Sequence, residues 1–262
     1  SDARAWLRAA GGPQRELQWG TGRLAAVCPE IAVQDVVLDR AGLSIEWTRL
    51  PFHVSRSGLR FPPRAPFYHS ALSRDADASR VLHQPLPRPA PLSRAARRRL
   101  IEIARLALAT RERETDPVTY ADERETTLYR LERGIDVALF GMRPEHRLPI
   151  ESYFGFVAAK NRVPIAYGGG WVFLERCEIG VNLFETFRGG ESALIFSQVM
   201  RVYHQHYGAR RFTVAPYQFG AGNDEAIRSG AFWFYHRLGF RSQDAALNDL
   251  AQRETERILA DK

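Results

Sequence analysis

The chain has 262 residues, 45% of them hydrophobic and 11% aromatic, which is enough apolar side chain for a sizeable buried core in one large domain or two small ones. No apolar run approaches the roughly eighteen residues needed to span a bilayer, and the opening Ser1-Asp2-Ala3-Arg4-Ala5-Trp6 lacks the apolar core of a signal peptide, so the expectation is a cytoplasmic protein with no membrane partner. The formal net charge of +7 is carried almost wholly by arginine, with Lys160 and Lys262 the two lysines; such an excess favours polyanions in general but does not choose between a coenzyme and a nucleic acid.

Residues 1–84 read as an irregular N-terminal extension. Within it, Val33 to Asp39 and Leu43 to Val54 alternate apolar and polar residues around Arg40-Ala41-Gly42, which predicts a β-hairpin, and Trp19-Gly20-Thr21-Gly22 predicts a turn. Cys28 and Cys177 have no metal or redox spacing and are expected to be buried or inert. The alternate prolines of residues 85–92 block helix and central strand and favour an extended connector, with a docking motif as the alternative. Ser93 can cap a helix running to about Glu114, on which Arg94, Arg97, Arg98 and Arg99 form a solvated face. Tyr120 to Arg133 predicts a second helix closed by Gly134. Strands are expected at Ile135 to Met142, at Glu151 to Ala159 and Val163 to Leu174 in a hairpin around Asn161-Arg162, and at Glu178 to Phe187. Gly168 to Gly170 mark either a bulge, slightly the preferred reading, or a close approach of another group.

The run Phe187-Arg188-Gly189-Gly190-Glu191-Ser192-Ala193 then opens an amphipathic helix, Leu194 to Tyr207. The first N–H groups of a helix lack intrahelical acceptors and carry partial positive charge, glycines let a ligand approach the backbone, and Arg188 can add a charged fork. Together these describe an anion pocket suited to a pyrophosphate, beside the blander reading of an ordinary capped loop. His204 and His206 lie about 200° apart around a helix, so no metal is expected there. Beyond the helix come Arg211-Phe-Thr-Val-Ala-Pro216, Asn223-Asp224-Glu225-Ala226-Ile227, and Ser229-Gly-Ala-Phe-Trp-Phe-Tyr235-His-Arg-Leu-Gly-Phe240.

In this order, an arginine-glycine loop opening a helix, a strand, an Asn-x-x-Ala helix and a Phe-Tyr-x-x-Leu-Gly-Phe ending, the segment Pro149 to Phe240 resembles the acyl-CoA-binding core of the GNAT superfamily of N-acetyltransferases. The resemblance implies an α/β (α+β) fold with a mixed central sheet of about six to seven strands flanked by helices, an acyltransferase domain over 93–242 and a helix over 243–262. It implies a splayed strand at Val181 to Phe187 that accepts the donor, with Phe184, Thr186, Phe187, Arg188, Gly189, Gly190, Glu191, Ser192, Ala193 and Asn223 as cofactor-binding residues. Asn223 would serve equally as a helix N-cap. The implied co-substrate is acetyl-CoA or another acyl-CoA, with no metal, and the implied reaction is direct acyl transfer to an amine in a ternary complex. Removing the amine's proton needs a carboxylate, for which Glu185 and Glu178 are the candidates and Glu151 a weaker third; Tyr235 stands where the family often places its acid for the departing thiolate. Tyr153, Phe154, Phe156, Tyr167 and Trp171 line either an acceptor pocket or the core.

The sequence departs from the family in two places. Glu191 replaces the loop's central glycine, which sets a carboxylate beside a diphosphate unless it caps the first helical turn, and a polar helix-like segment follows Phe240 where family members usually add two strands. The alternatives are therefore a non-catalytic module of the same fold that binds an acyl carrier, and a basic nucleic-acid-binding protein, the latter resting on arginine excess alone. Expected partners are a small-molecule or peptide amine, with an acyl carrier protein and a second copy of the chain as further candidates and nucleic acid disfavoured.

Overall fold

The computed structural model describes residues 16–30, 58–73, 77–111, 113–150 and 152–260, with isolated positions elsewhere before residue 41. Two compact units result, Ser1–Pro51 and Phe52–Lys262. In the first, helix α1 runs Glu16–Val27 and carries Trp19 to Gly22 inside it, so the turn expected there is a helical segment; Arg23 lies 5.8 Å from the centre of the Trp19 ring, and this i,i+4 contact favours the helix over the two glycines. The predicted hairpin falls largely outside the described residues, and Val33, Val36, Val37 and Arg40 within it are helical.

The second unit is a mixed α/β structure built on one six-stranded sheet flanked by helices, with the strands in sequential order. Helix α2, Ala78–Leu82, is capped by Asp77, and residues 85–92, outside any helix or strand, follow it. These are strapped to the fold: the Ala90 amide donates to the Leu128 carbonyl, and Arg201, 1% exposed, donates to the carbonyls of Gln84 and Pro85. Ser93 caps α3, Arg94–Ala109, whose Leu100, Ile103, Ala104, Ala107 and Leu108 form a buried stripe at helical spacing. Arg94 and Arg98 pair with Glu123, and Arg99 with Glu102, on the outer side. A one-turn helix α4, Asp116–Thr119, leads into β1, Ala121–Arg130.

The segment read as a second helix is thus mostly β1, followed by a 3-10 turn at Glu132–Gly134. Its helix-forming start, Ala121 to Glu125, is overridden by Thr126 to Tyr129, which pair antiparallel with Leu139, Phe140 and their neighbours and bury Thr126, Leu128 and Tyr129. One long helix and one helical turn precede the sheet, not two helices. Next come β2, Ile135–Met142, β3, Ser152–Lys160, and β4, Val163–Phe173. The hairpin between β3 and β4 turns at Asn161 and Arg162, both at positive φ, 46° and 73°. Strand β5, Arg176–Leu183, is antiparallel to β4 and stops four residues before the predicted end; Glu185–Phe187 form a 3-10 turn instead.

Helix α5, Ser192–Tyr207, crosses one face of the sheet and returns the chain to β6, Arg211–Thr213, which lies parallel to β5. Short helices α6, Pro216–Phe219, α7, Asp224–Ser229, and α8, Ala231–Arg237, precede α9, Ala245–Ala260. The sheet therefore has two cores: α5 packs with Val137, Phe156, Ile179 and Val181 on one face, and α3 packs with Ala138, Phe140, Val157 and Tyr167 on the other. Neighbouring residues alternate between the two faces, as strand geometry requires. Among the described residues no helix is long and apolar enough to cross a membrane.

Candidate functional site

Strands β5 and β6 pair over three positions only, Arg176 with Arg211, Cys177 with Phe212 and Glu178 with Thr213. From Ile179 onward β5 keeps its antiparallel partner β4, as far as Leu183 opposite Ala166, while β6 turns away into α6. A wedge opens between them, with Glu178 at its narrow end. Backbone groups of β5 that point into the wedge have no strand to pair with, so an extended ligand can pair there.

At the wide end of the wedge lies the loop before α5. Gly189 has φ +77° and a Cβ built on it would meet nothing within 4 Å; on Gly190 it would meet only the Phe187 carbonyl, at 3.7 Å. The backbone N–H groups of Gly189, Gly190, Ser192 and Ala193 have no acceptor among the described residues, the first helical bond in this stretch being Ile195 to the Glu191 carbonyl at 2.9 Å. Open amides and the helix dipole coincide here. Arg188 is half-exposed and donates across the loop to Glu225 of α7 at 3.3 Å and to the Leu183 carbonyl at 3.3 Å.

Glu191 turns inward. Its carboxylate, 4% exposed, pairs with Lys160 and with Arg133 at 2.6 Å, and accepts from the Ser73 amide at 3.0 Å. Burial alone would push its pKa up, but the bonds from Lys160, the Ser73 amide and Arg133 outweigh this and hold it at about 2. It makes no capping bond to its own helix, so that expectation is corrected: Lys160, Arg133 and the Ser73 amide take up its charge instead.

The other sequence-predicted residues divide by strand parity and by the early end of β5. Glu178 projects from β5 on the α3 side with Gly180 and Asn182, and its Oε2 accepts from Arg176 at 3.0 Å. Glu185 lies off the strand in the 3-10 turn, 75% exposed, and pairs with Arg113 at 3.3 Å, so it does not flank the wedge as a strand residue. Thr186 is exposed beside it, and Phe187 is partly buried against both cores. Phe184 is a core residue, stacked on Tyr167 at 5.5 Å and covered by the Arg111 guanidinium at 4.2 Å. Asn223 caps α7 through a 3.0 Å bond from the Ala226 amide. Glu151 is outside the described residues. His206 receives or donates a 2.7 Å bond with the Tyr129 hydroxyl, and burial pushes the Cys177 thiol up to about 12.

Tyr235 is buried in the α5-side core, and its hydroxyl donates to Gln218 Oε1 at 2.9 Å. Gln218 in turn covers Gly180: a Cβ there would lie 2.3 Å from Gln218 Nε2. The phenol therefore reaches the wedge through Gln218, and burial raises its pKa, which keeps it protonated.

On the α3 side the wedge opens into a cleft of about 250 Å³ lined by Glu114, Asp116, Tyr153, Tyr167, Trp171, Glu178, Asn182 and Gln218 among others. The glycine run builds it. β4 passes through Gly168 to Gly170 in unbroken register with both neighbours, so the run is a close approach and not the bulge preferred from sequence. The Tyr153 hydroxyl lies over Gly169, 2.1 Å from where a Cβ would sit. Of the five aromatics singled out, Tyr153, Tyr167 and Trp171 reach the cleft, whereas Phe154 and Phe156 face the α5-side core. Glu114, Asp116 and Gln218 carried no sequence signal; they come from short turns whose position over the sheet is set by tertiary packing. A larger hollow of about 1180 Å³, mostly apolar, lies around the free edge of β6 and shares Glu178 and Ala215 with the cleft.

No family model matches the chain, no curated protein matches it, and no solved structure matches its fold.

Proposed function

We propose that the protein is an acyl-CoA-dependent N-acyltransferase. The observation that carries this reading is the wedge between β5 and β6, which joins an open amide loop at one end to a cleft on the opposite face at the other. The donor's diphosphate would rest on the amides of Gly189, Gly190, Ser192 and Ala193, with Arg188 exchanging Glu225 for phosphate oxygens. Its extended arm would pair with β5, which brings the thioester to the narrow end near Gly180.

The acceptor enters from the α3 side. A free alkylamine is protonated at neutral pH, so Glu178 takes one proton, directly or through a water; the amine nitrogen then forms a bond to the thioester carbon. The carbon–sulfur bond breaks, the departing thiolate takes the proton of the Tyr235 hydroxyl, and the second proton that the nitrogen sheds as the amide forms restores the phenol through solvent, while Glu178 releases its own proton to solvent. The Tyr235 phenol and the Glu178 carboxylate stand on opposite sides of the wedge, which suits a direct transfer without a covalent enzyme intermediate.

Calorimetry and thermal shift with coenzyme A, acetyl-CoA and longer acyl-CoAs, followed by thiol release with a panel of amines, test this. Stabilisation by an acyl-CoA and amine-dependent thiol release are expected. Stabilisation only by a longer acyl chain reassigns the donor; tight binding without turnover of any amine makes the protein a binding module; and no affinity for any coenzyme A derivative removes the reading.

A further inference from the structure

The hollow at the free edge of β6, about 1180 Å³, is several times the size of the cleft on the α3 face, and its walls are hydrocarbon and aromatic: Met200, Phe212, Phe219, Trp233, Leu238 and Leu250 among them. Helix α9 lends it one stripe, Leu247, Leu250, Ala251 and Glu254, at the i, i+3, i+4 and i+7 spacing of a single helix face. Leu247 and Leu250 nonetheless stay 53% and 46% exposed, so the stripe borders the hollow without being covered. An apolar wall of this extent stays wet unless a ligand or a partner covers it.

Continuity with the wedge decides which occupant fits. Glu178 and Ala215 line the hollow and the cleft alike, and Glu178 stands at the narrow end of the wedge, where the proposed donor would carry its thioester. The group attached to the thioester carbon can leave that point only into the cleft or into the hollow. The cleft presents Glu114, Asp116, Asn182 and Gln218, and an apolar group placed there would strip water from them without replacing its hydrogen bonds. The hollow offers the same group a matching wall. A methylene takes roughly 30 Å³, close to a water molecule's share of the liquid, so a dodecanoyl tail needs roughly 360 Å³ and fits, whereas an acetyl group leaves the hollow unfilled. An extended peptide fits less well, because β6 is three residues long and a strand laid on its free edge finds at most three residues to pair with. We propose that the hollow binds a long, unbranched acyl tail, which makes the donor a medium- or long-chain acyl thioester. The donor assignment rests on the acyltransferase reading, and the tail site on the cavity alone.

The test is calorimetric binding of coenzyme A, acetyl-CoA, dodecanoyl-CoA and free dodecanoate to the full polypeptide, below the concentration at which the tails form micelles, with sedimentation in parallel. Each methylene moved from water into an apolar site favours binding roughly fourfold, and ordering the tail offsets part of this, so dodecanoyl-CoA should bind at least a hundredfold more tightly than acetyl-CoA. Ala215→Leu narrows the passage shared with the cleft, at a backbone conformation of φ −58° and ψ 139° that leucine adopts without strain. Leu250→Gln makes a half-exposed part of the wall polar. Each variant should cut the advantage of the long tail at least tenfold while acetyl-CoA affinity and melting temperature stay near those of the wild type. Dodecanoyl-CoA binding no more tightly than acetyl-CoA, or keeping its advantage in both variants, overturns the proposal and leaves the acyltransferase reading standing. Dodecanoate bound and weakened by both variants, with the coenzyme adding no affinity, retains the tail site and sinks that reading. A dimer that Leu250→Gln dissolves, with no tail bound, assigns the wall to a second copy and overturns the proposal, and no binding of any of the four ligands overturns both.

Discussion

Glu191 occupies the place where the loop sequence departs most from the pattern it resembles, and its surroundings explain how a carboxylate is accommodated there. Lys160 and Arg133 neutralise it, so the amides beside it have no unpaired Glu191 charge competing with a ligand. Its folded pKa of about 2 lies below the ordinary carboxylate range, so the pair stabilises the protein at and above that range and loses its contribution as pH falls toward 2. Glu191→Gln leaves two cations unpaired and should cost roughly 3 kcal/mol at pH 7. In urea unfolding from pH 7 to pH 2, the gap between wild type and variant should narrow below the normal carboxylate pKa. Tyr235→Phe should lower turnover roughly 100-fold while costing about 1 kcal/mol for the lost bond to Gln218, with donor affinity kept. Tyr235 could be named from the sequence by its match to the family pattern, and Glu178 as a carboxylate expected on the strand before the loop. Glu114 and Asp116 could not, since nothing near residue 114 in the chain indicates that it lies over residues 167 and 169.

Two glycines set how close the elements come, and they tolerate a methyl group differently. At Gly155 a Cβ would lie 2.0 Å from the Pro117 carbonyl oxygen, a backbone atom of the turn that carries Asp116; at Gly169 it would lie 2.1 Å from the Tyr153 hydroxyl, the far end of a side chain. Gly155→Ala should therefore destabilise the protein by roughly 2 kcal/mol, because α4 must shift. Gly169→Ala should displace Tyr153, raising the amine KM while leaving the melting temperature and acyl-CoA affinity nearly as they were. Melting curves and two-substrate kinetics separate the two outcomes. At this scale the sequence indicated β2, β3, β4, the helix capped by Ser93 and the helix after Gly190, all of which carry strong periodicity or caps. It misled at β1, where the pairing partner across the turn outweighs helix-forming residues, and at the end of β5, where the chain leaves the sheet without a proline or glycine to announce it.

Across the whole molecule, the mixed α/β class and the six-stranded sheet follow from the pattern of elements, but the wedge does not. Nothing in Arg211 to Thr213 states that pairing stops after three residues; that is decided by where α5 delivers the chain and by the turn into α6. Charge at this scale also makes a prediction. In the proposed reaction a polyanionic donor would approach a protein of net charge +7, whereas a cationic acceptor would reach the cleft that holds Glu178 against that same field. Raising sodium chloride from ~50 mM to ~500 mM should weaken acyl-CoA binding several-fold and amine binding distinctly less, because salt screens the long-range repulsion along with the local attraction. Titrations at the two salt concentrations check it; an equal loss for both ligands would mean that the cleft's charge is not felt separately from the surface.

The short pairing of β5 with β6 also leaves a signature in time. Along Ile179 to Leu183, amides turned toward β4 are locked in its ladder, while the alternate ones face the gap. Deuterium uptake along this one strand should therefore be staggered, slow and fast by turns, and a donor lying in the gap should make it uniform.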